Sequence, residues 1–243
     1  MKLLCITDLH QSSAALERIL ADAATAAGSP DLVLLGGDIT QFGPPEDAER
    51  LVRQAQAAAV GTVPIFGPAR EASPRKWDCP LPLTVLAVAG NCDSPAIDRR
   101  LVELGISLHG RGLVRGDVGI HGLSAIPPWQ RKMYQFTEEE LADALRAGYA
   151  QLAGAAHHVV LAHVPPRGGK LDRTHFFQHV GSKALRAFIE ETQPELVVCG
   201  HIHEGRGIEQ LGRTTVVNCG AAFAGHYALA EVGDKVQVEL RRA

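Results

Sequence analysis

Short apolar segments alternate with helical patterns along most of this chain, and this alternation restricts the fold more than any other feature. Five apolar segments have the length and composition of buried strands, namely 3–7, 31–36, 83–90, 158–163 and 195–200. Apolar residues recur at helical spacing in four further segments, which are 13–27, 45–59, 95–104 and 182–192. Strands that alternate with helices in this way predict an α/β fold.

The middle and the end of the chain have a different, antiparallel character. Residues 111–126 predict a hairpin that turns at Gly116-Asp117, and a capping box of Thr137 and Glu140 opens a predicted helix over 137–152. Three more strands are predicted at 214–218, 226–232 and 235–241. We therefore expect two packed sheets with helices on their outer faces.

The domain organisation is predicted to be simple. No Gly/Ser linker divides the sequence, so residues 1–243 are expected to form one domain. Residues 67–83 are rich in proline and show no periodicity. Long segments of this kind are often functional, and two interpretations stay open: a flap beside a functional site, or a plain surface insertion.

Composition and charge argue against several classes of protein. The net charge of −3 and the absence of a long Lys/Arg block argue against a partner that is a long nucleic acid. No apolar segment reaches the roughly 18 residues that span a membrane, and Asp8 and His10 interrupt the first segment too early for a signal peptide. Five cysteines without a close pair favour reduced thiols and a cytoplasmic protein.

Polar side chains follow five of the predicted strands, at the point where each strand ends. They are Asp8, His10, Asp38, Asn91, His163, His201 and His203. Each one alone is compatible with a turn or a cap, but ligands of α/β sheets bind at the carboxyl ends of strands. Seven donors exceed the needs of one tetrahedral zinc and suit two ions of higher coordination number that share a carboxylate.

Five short motifs contain these residues in a fixed order: DLH (8–10), GGD (36–38), GNCD (90–93), AH (162–163) and GHIH (200–203). Together they resemble the five blocks of the calcineurin-like metallophosphoesterase superfamily. The resemblance runs from residue 3 to about residue 220, and 162–207 is similar to the Icc-related predicted phosphoesterases. It implies a four-layer α/β/β/α sandwich of two mixed sheets, with a metal site at the carboxyl ends of the strands.

The resemblance also implies a role for each donor. One ion is bound by Asp8, His10 and His203, a second ion by Asn91, His163 and His201, and Asp38 bridges both. Two such ions generate a bridging hydroxide near neutral pH, which attacks a phosphate ester. Mixed nitrogen and oxygen ligands favour divalent or trivalent Mn, Fe, Zn, Ni or Co, and we expect Mn first.

Two residues depart from the family pattern. Gln11 stands where glycine is common, and it either reaches the site or points away. Cys92 stands where many members carry a histidine that protonates the leaving group, and a thiol is a weaker acid catalyst for this step. We take Asn91, Cys92, Asp93 and His163 as the candidate catalytic residues. Asp93 is expected mainly to orient the Asn91 loop.

The resulting hypothesis is a dinuclear metal-dependent phosphoesterase for small phosphodiesters or nucleotide derivatives. Two alternatives stay open: a phosphomonoesterase or phosphoprotein phosphatase, and a scaffold that keeps the fold without catalysis. We expect a small phosphorylated substrate and no membrane partner, and a homo-oligomer is left open. His179, in the loop before the 182–192 helix, is a further candidate for contact with the substrate.

Overall fold

The computed structural model describes residues 1–27, 29–60, 85–130 and 132–243. Within these ranges the strands are β1 (Lys2–Ile6), β2 (Leu32–Gly36), β3 (Val85–Val88), β4 (Gly112–Arg115), β5 (Val118–Leu123), β6 (His157–Ala162), β7 (Leu196–Cys199), β8 (Gly207–Leu211), β9 (Thr214–Asn218), β10 (His226–Glu231) and β11 (Gln237–Arg242). The α-helices are α1 (Ser13–Ala27), α2 (Pro45–Val60), α3 (Pro95–Glu103), α4 (Glu138–Tyr149) and α5 (Lys183–Thr192).

The strands form two mixed sheets. The first sheet has the order β11-β10-β1-β2-β3, and the second has the order β4-β5-β6-β7-β9-β8. Strands β1, β2 and β3 are mutually parallel in the first sheet, and β5, β6, β7 and β9 are parallel in the second. The antiparallel strands lie at the margins, where hairpins join β4 to β5, β8 to β9 and β10 to β11.

Alternation of side chains across each strand separates the protein into four layers. In β1, Leu4 and Ile6 pack beneath helices α1 to α3, whereas Leu3 and Cys5 face the second sheet. In β6, Val159 and Leu161 fill the space between the sheets, while alternate residues of the same strand pack beneath α4 and α5. Period-two burial on both faces is the pattern of a strand covered on both sides. The predicted α/β/β/α sandwich is confirmed.

Local signals in the sequence account for several element boundaries. Ser182 caps α5 by accepting a hydrogen bond from the Leu185 amide, and the Thr137/Glu140 capping box opens α4 as predicted. The hairpin turn at Gly116 lies where the sequence places it, between β4 and β5. The predicted elements and the observed ones differ mostly by one or two residues at their ends.

One observed strand is absent from the sequence prediction, and one predicted segment lies outside the described residues. Strand β8 is a half-exposed edge strand. Its sequence, GIEQL, lacks a continuous apolar run, so the sequence gives no strong signal for a strand at this position. The predicted strand at 83–90 is observed from Val85, while the segment 67–83 falls outside the described ranges. None of the described helices combines the length and the apolar character that a membrane span requires.

Candidate metal centre

All seven predicted donors lie together at the edge where five strands end. Asp8 and His10 follow β1, Asp38 follows β2, and Asn91 follows β3, all from the first sheet. His163 follows β6, and His201 and His203 follow β7 in the second sheet. Contacts among these side chains join them into one cluster that bridges the two sheets.

The carboxylate of Asp38 lies at the middle of this cluster. Its Oδ2 is 3.7 Å from His10 Nε2, and its Oδ1 is 3.5 Å from His163 Nε2. The Cys92 amide also donates to Oδ1 at 2.7 Å and fixes the rotation of the carboxylate. The two oxygens of one buried side chain therefore face histidines of different loops.

A second carboxylate joins the remaining histidines. Asp8 Oδ1 lies 3.4 Å from His203 Nε2, and the backbone amide of His201 donates to both Asp8 oxygens at 3.2 Å. The rings of His163 and His201 are 5.1 Å apart between centroids. Ligand-type atoms lie within 4.8 Å of one another in each of three groups: Asp8, His10 and His203; Asp8, Asp38 and His163; and His10, Asp38 and Cys92.

The backbone at four of these residues is left-handed. Positive φ angles occur at Asp8 (58°), His10 (45°), Asp38 (47°) and His201 (65°). Residues other than glycine rarely adopt this conformation, and such strain concentrates at functional sites. Neighbouring loops hold it in place, since the Asp8 amide donates to the Gly37 carbonyl and the His10 amide to the Asp38 carbonyl.

Glycine is required where the loops cross. A Cβ on Gly90 would overlap the Asp38 amide and its Oδ1, and a Cβ on Gly37 would lie 2.7 Å from His163 Nδ1. Gly37 also has a positive φ of 89°. The absence of a side chain at these positions lets the loops after β2 and β3 approach the histidine of the second sheet.

The hydrogen bonds of His163 fix which ring nitrogen is free. Its Nδ1 lies 2.9 Å from the Gly36 carbonyl oxygen, which accepts hydrogen bonds and cannot donate, so Nδ1 carries a proton. In the neutral ring the Nε2 lone pair then faces Asn91 Oδ1 at 2.8 Å. Two acceptors at this distance need a proton or a cation between them, which makes the pair suited to a metal ion.

Two other histidines have buried nitrogen atoms without hydrogen bonds. Neither His201 Nε2 nor His10 Nδ1 has a partner in the described part of the chain. Burial lowers the pKa of His201 to about 3 and also lowers the pKa of His10. Their rings are therefore neutral at pH 7, and a neutral imidazole is the form that binds metals. Burying a ring nitrogen without a hydrogen bond costs free energy, unless a ligand such as a metal ion binds to it.

The cluster concentrates negative charge without a lysine or arginine. Asp8, Asp38 and Asp93 are buried, and within the described ranges no Lys or Arg forms an ion pair with them. Burial raises the pKa of Asp38. For Asp8 burial acts in the same direction, but the hydrogen bond with His203 and nearby histidine charges outweigh it and lower the pKa to about 2. Bound cations would neutralise these carboxylates, so the residues fit a metal centre.

Asp93 and Cys92 flank the donors in different ways. Asp93 accepts hydrogen bonds from the amides of Ile39, Thr40 and Gly90 and from the Thr40 hydroxyl, at 2.8–3.1 Å. It thereby ties the Asp38 loop to the Asn91 loop, and burial raises its pKa to about 6. The Cys92 thiol is buried beside the donors and accepts a hydrogen bond from Asn91 Nδ2 at 3.3 Å.

Three further residues near the site have an ambiguous signal in the sequence or none. Gln11 is directed to α2, where its Nε2 donates to Asp47 Oδ2 at 2.9 Å. The half-exposed Phe223 packs edge-on against His10 and His203, with centroids 5.4 Å apart in each case. Trp129 stands perpendicular to the His201 ring at 5.7 Å. No periodicity or motif marks these two aromatic residues.

Comparison with known proteins agrees with the fold and with the family that the motifs resemble. Residues 1–205 match the calcineurin-like phosphoesterase family, and the chain belongs to that family. The family that the motifs predict is confirmed.

Individual relatives are distant in sequence. An uncharacterized protein of Methanocaldococcus jannaschii is 29% identical over 226 residues, which cover 90% of this chain and 87% of that protein. A crystal structure of a Thermus thermophilus protein superposes with a TM-score of 0.71 at 18% identity, covering 99% and 98% of the two chains. A dimetal phosphatase from Danio rerio gives 0.63 at 11% identity, with coverage of 100% and 96%.

Proposed function

We propose that this chain is a dinuclear metal-dependent phosphoesterase. Asp8, His10 and His203 would hold one ion, while Asn91, His163 and His201 would hold the other. The observation that carries the proposal is the position of Asp38, whose two oxygens face His10 on one side and His163 on the other. A carboxylate placed between two sets of donors is the arrangement that a bridging ligand requires.

The two ions, when bound, lower the pKa of a water molecule and neutralise charge on the phosphoryl group. The chain's own residues prepare that chemistry. The Gly36 carbonyl holds His163 in the tautomer whose Nε2 is free. Asp93 holds the Asp38 and Asn91 loops in register through four accepted hydrogen bonds, so it acts as a positioning residue.

Cys92 bears on the choice between diesters and monoesters. Burial, and after it the charge of Asp38, raises the pKa of the Cys92 thiol well above its usual range. A thiol of this kind transfers a proton poorly to a departing oxygen. We therefore propose small phosphodiesters and nucleotide derivatives as substrates, and Mn²⁺ as the first metal to test.

A pair of chromogenic substrates tests the substrate class. Protein purified without chelator is assayed with Mn²⁺ on bis(4-nitrophenyl) phosphate and on 4-nitrophenyl phosphate. We expect the higher kcat/KM on the diester. Faster turnover of the monoester would contradict the diester preference and favour a phosphomonoesterase.

Metal analysis of the same preparation separates an enzyme from a scaffold with this fold. A dinuclear centre predicts about two transition-metal ions per chain. Less than about one ion per chain, together with no activity after addition of Mn²⁺, Fe²⁺, Co²⁺, Ni²⁺ or Zn²⁺, would favour a scaffold. Any ester hydrolysis that requires added metal would exclude it.

A further inference from the structure

A cleft of about 620 Å³ opens beside the metal centre, and the proposed metal ligands do not line it. Trp129 forms the boundary between the two. One side of its indole meets the His201 ring at a centroid distance of 5.7 Å, while 46% of the residue is exposed. An exposed indole face next to a phosphate site is suited to stack on a planar group such as a nucleobase.

Two cationic side chains line the same cleft as Trp129. Arg167 and Lys183 line it, both are exposed, and in the described part of the chain neither has an ion-pair partner. Glu138 also lines the cleft, but its carboxylate accepts hydrogen bonds from the Ser182 hydroxyl and from the amides that open α5, at 2.7–2.9 Å. That acid is directed to the helix, so the charges of Arg167 and Lys183 remain available to an anion.

A histidine held by a buried carboxylate completes the lining. Asp172 is fully buried and accepts hydrogen bonds from the amides of Gly168, Gly169 and Gly181 at 3.0–3.2 Å. It also pairs with His179 Nδ1 at 2.8 Å. A carboxylate in this position accepts, so Nδ1 donates, and the opposite ring edge with Nε2 turns away from Asp172. The His179 side chain is 38% exposed and lines the cleft.

We propose that this cleft binds the nucleoside and the second phosphate of a nucleotide diester, such as a 5′-phosphorylated dinucleotide. The nucleoside base stacks on Trp129, and its other phosphate binds Arg167 and Lys183 beside His179. The order of these groups, from the centre outward, is scissile phosphate, base and terminal phosphate. This inference rests on the proposed phosphoesterase function, since the scissile phosphate must lie at the metal centre.

The reaction for the adenine dinucleotide pApA is a hydrolysis. The oxygen of water bonds to the bridging phosphorus, the bond from phosphorus to the 3′-oxygen breaks, and that oxygen takes a proton from the water. The products are two molecules of 5′-AMP. The matched dinucleotide ApA lacks the terminal phosphate and is otherwise identical. A comparison of pApA with ApA therefore isolates the contribution of the terminal phosphate, which Arg167 and Lys183 are proposed to bind.

The test compares kcat/KM for pApA and ApA in the intact protein with Mn²⁺. We expect the wild type to prefer pApA by at least about tenfold. The double variant Arg167→Ala/Lys183→Ala should lose most of that preference. The matched control is Arg173→Ala, which removes an exposed arginine from the loop that also contains Arg167. Arg173 packs over Phe177 and does not line the cleft, so this variant should keep the preference for pApA. An equal rate on the two dinucleotides in the wild type would overturn the proposal.

Trp129 is tested separately, because stacking and charge make different predictions. Trp129→Ala should lower kcat/KM for both dinucleotides by about tenfold, and Trp129→Phe should restore most of it. Unchanged rates in Trp129→Ala would contradict the stacking step.

A binding measurement distinguishes failure of the cleft from failure of the phosphoesterase proposal. If no phosphate ester is hydrolysed, the proposed function fails. Calorimetric titration with pApA then tests the cleft alone: a Kd that rises at least about tenfold in the double variant supports it, and an unchanged Kd overturns it.

Discussion

His121 tests how burial in the second sheet changes the pKa of a histidine and, through it, the stability of the protein. It lies in β5, is 0% exposed, and packs against Tyr149 and Phe188 with ring centroids 6.0 and 5.3 Å away. Neither of its ring nitrogens has a hydrogen-bond partner among the described residues. Burial lowers its pKa from 6.5 to about 3, so the folded protein keeps this imidazole neutral well below neutral pH.

The consequence for stability follows from proton linkage. Between pH 6.5 and pH 3 the unfolded chain binds a proton at this position and the folded protein does not, so the free energy of unfolding falls as the pH falls. Each pH unit corresponds to about 1.4 kcal/mol. At pH 5, which is about 1.5 units below the unfolded pKa, His121 therefore costs about 2 kcal/mol. Phenylalanine at this position removes that cost.

The assay is urea unfolding of the wild type and His121→Phe at pH 7 and pH 5, with chelator present so that metal binding does not contribute. The loss of unfolding free energy between the two pH values should be smaller in the variant by about 2 kcal/mol. His175→Phe removes an exposed histidine and serves as the control, which should behave as the wild type does. An equal loss in His121→Phe and wild type would refute the reasoning.

Two further substitutions address the metal centre directly. Gly90→Ala places a Cβ against the Asp38 amide and carboxylate, so metal content measured by mass spectrometry should fall and diester hydrolysis should drop by about 100-fold or more; full metal content would show that the loops tolerate a side chain. Cys92→His should keep both ions and raise the hydrolysis of a monoester with a poor leaving group, glycerol 2-phosphate, relative to 4-nitrophenyl phosphate, whose leaving group needs little protonation. Loss of metal in Cys92→His would instead identify Cys92 as a ligand.

The sequence predicts the parts of this protein that depend on local pattern. Buried strands such as β2 are apolar at every position, and the polar residue that follows each strand end could be placed at one edge because parallel strands share a direction. The candidate metal donors were therefore available from the sequence. The sequence does not predict the left-handed backbone at Asp8, Asp38 and His201, because neighbouring loops impose a conformation that these residue types rarely adopt.

The sequence does not predict the cleft or the aromatic contacts around the site, because these depend on residues from different loops. Trp129 meets His201, and Phe223 meets His10, although these residues are far apart in the chain. His179 is a candidate from its position in a loop, but its pairing with Asp172 depends on a turn that the sequence does not specify. Contacts between loops follow from the packing of the two sheets, which hydrophobic periodicity does not encode.

The bridging role of Asp38 is the central claim, and metal stoichiometry in Asp38→Ala tests it most directly. Wild-type protein loaded with Mn²⁺ and freed of excess metal should retain about two ions per chain. Asp38→Ala should retain fewer than about one and lose diester hydrolysis, because both sets of donors lose the carboxylate between them. Two retained ions and undiminished hydrolysis in Asp38→Ala would contradict the dinuclear account.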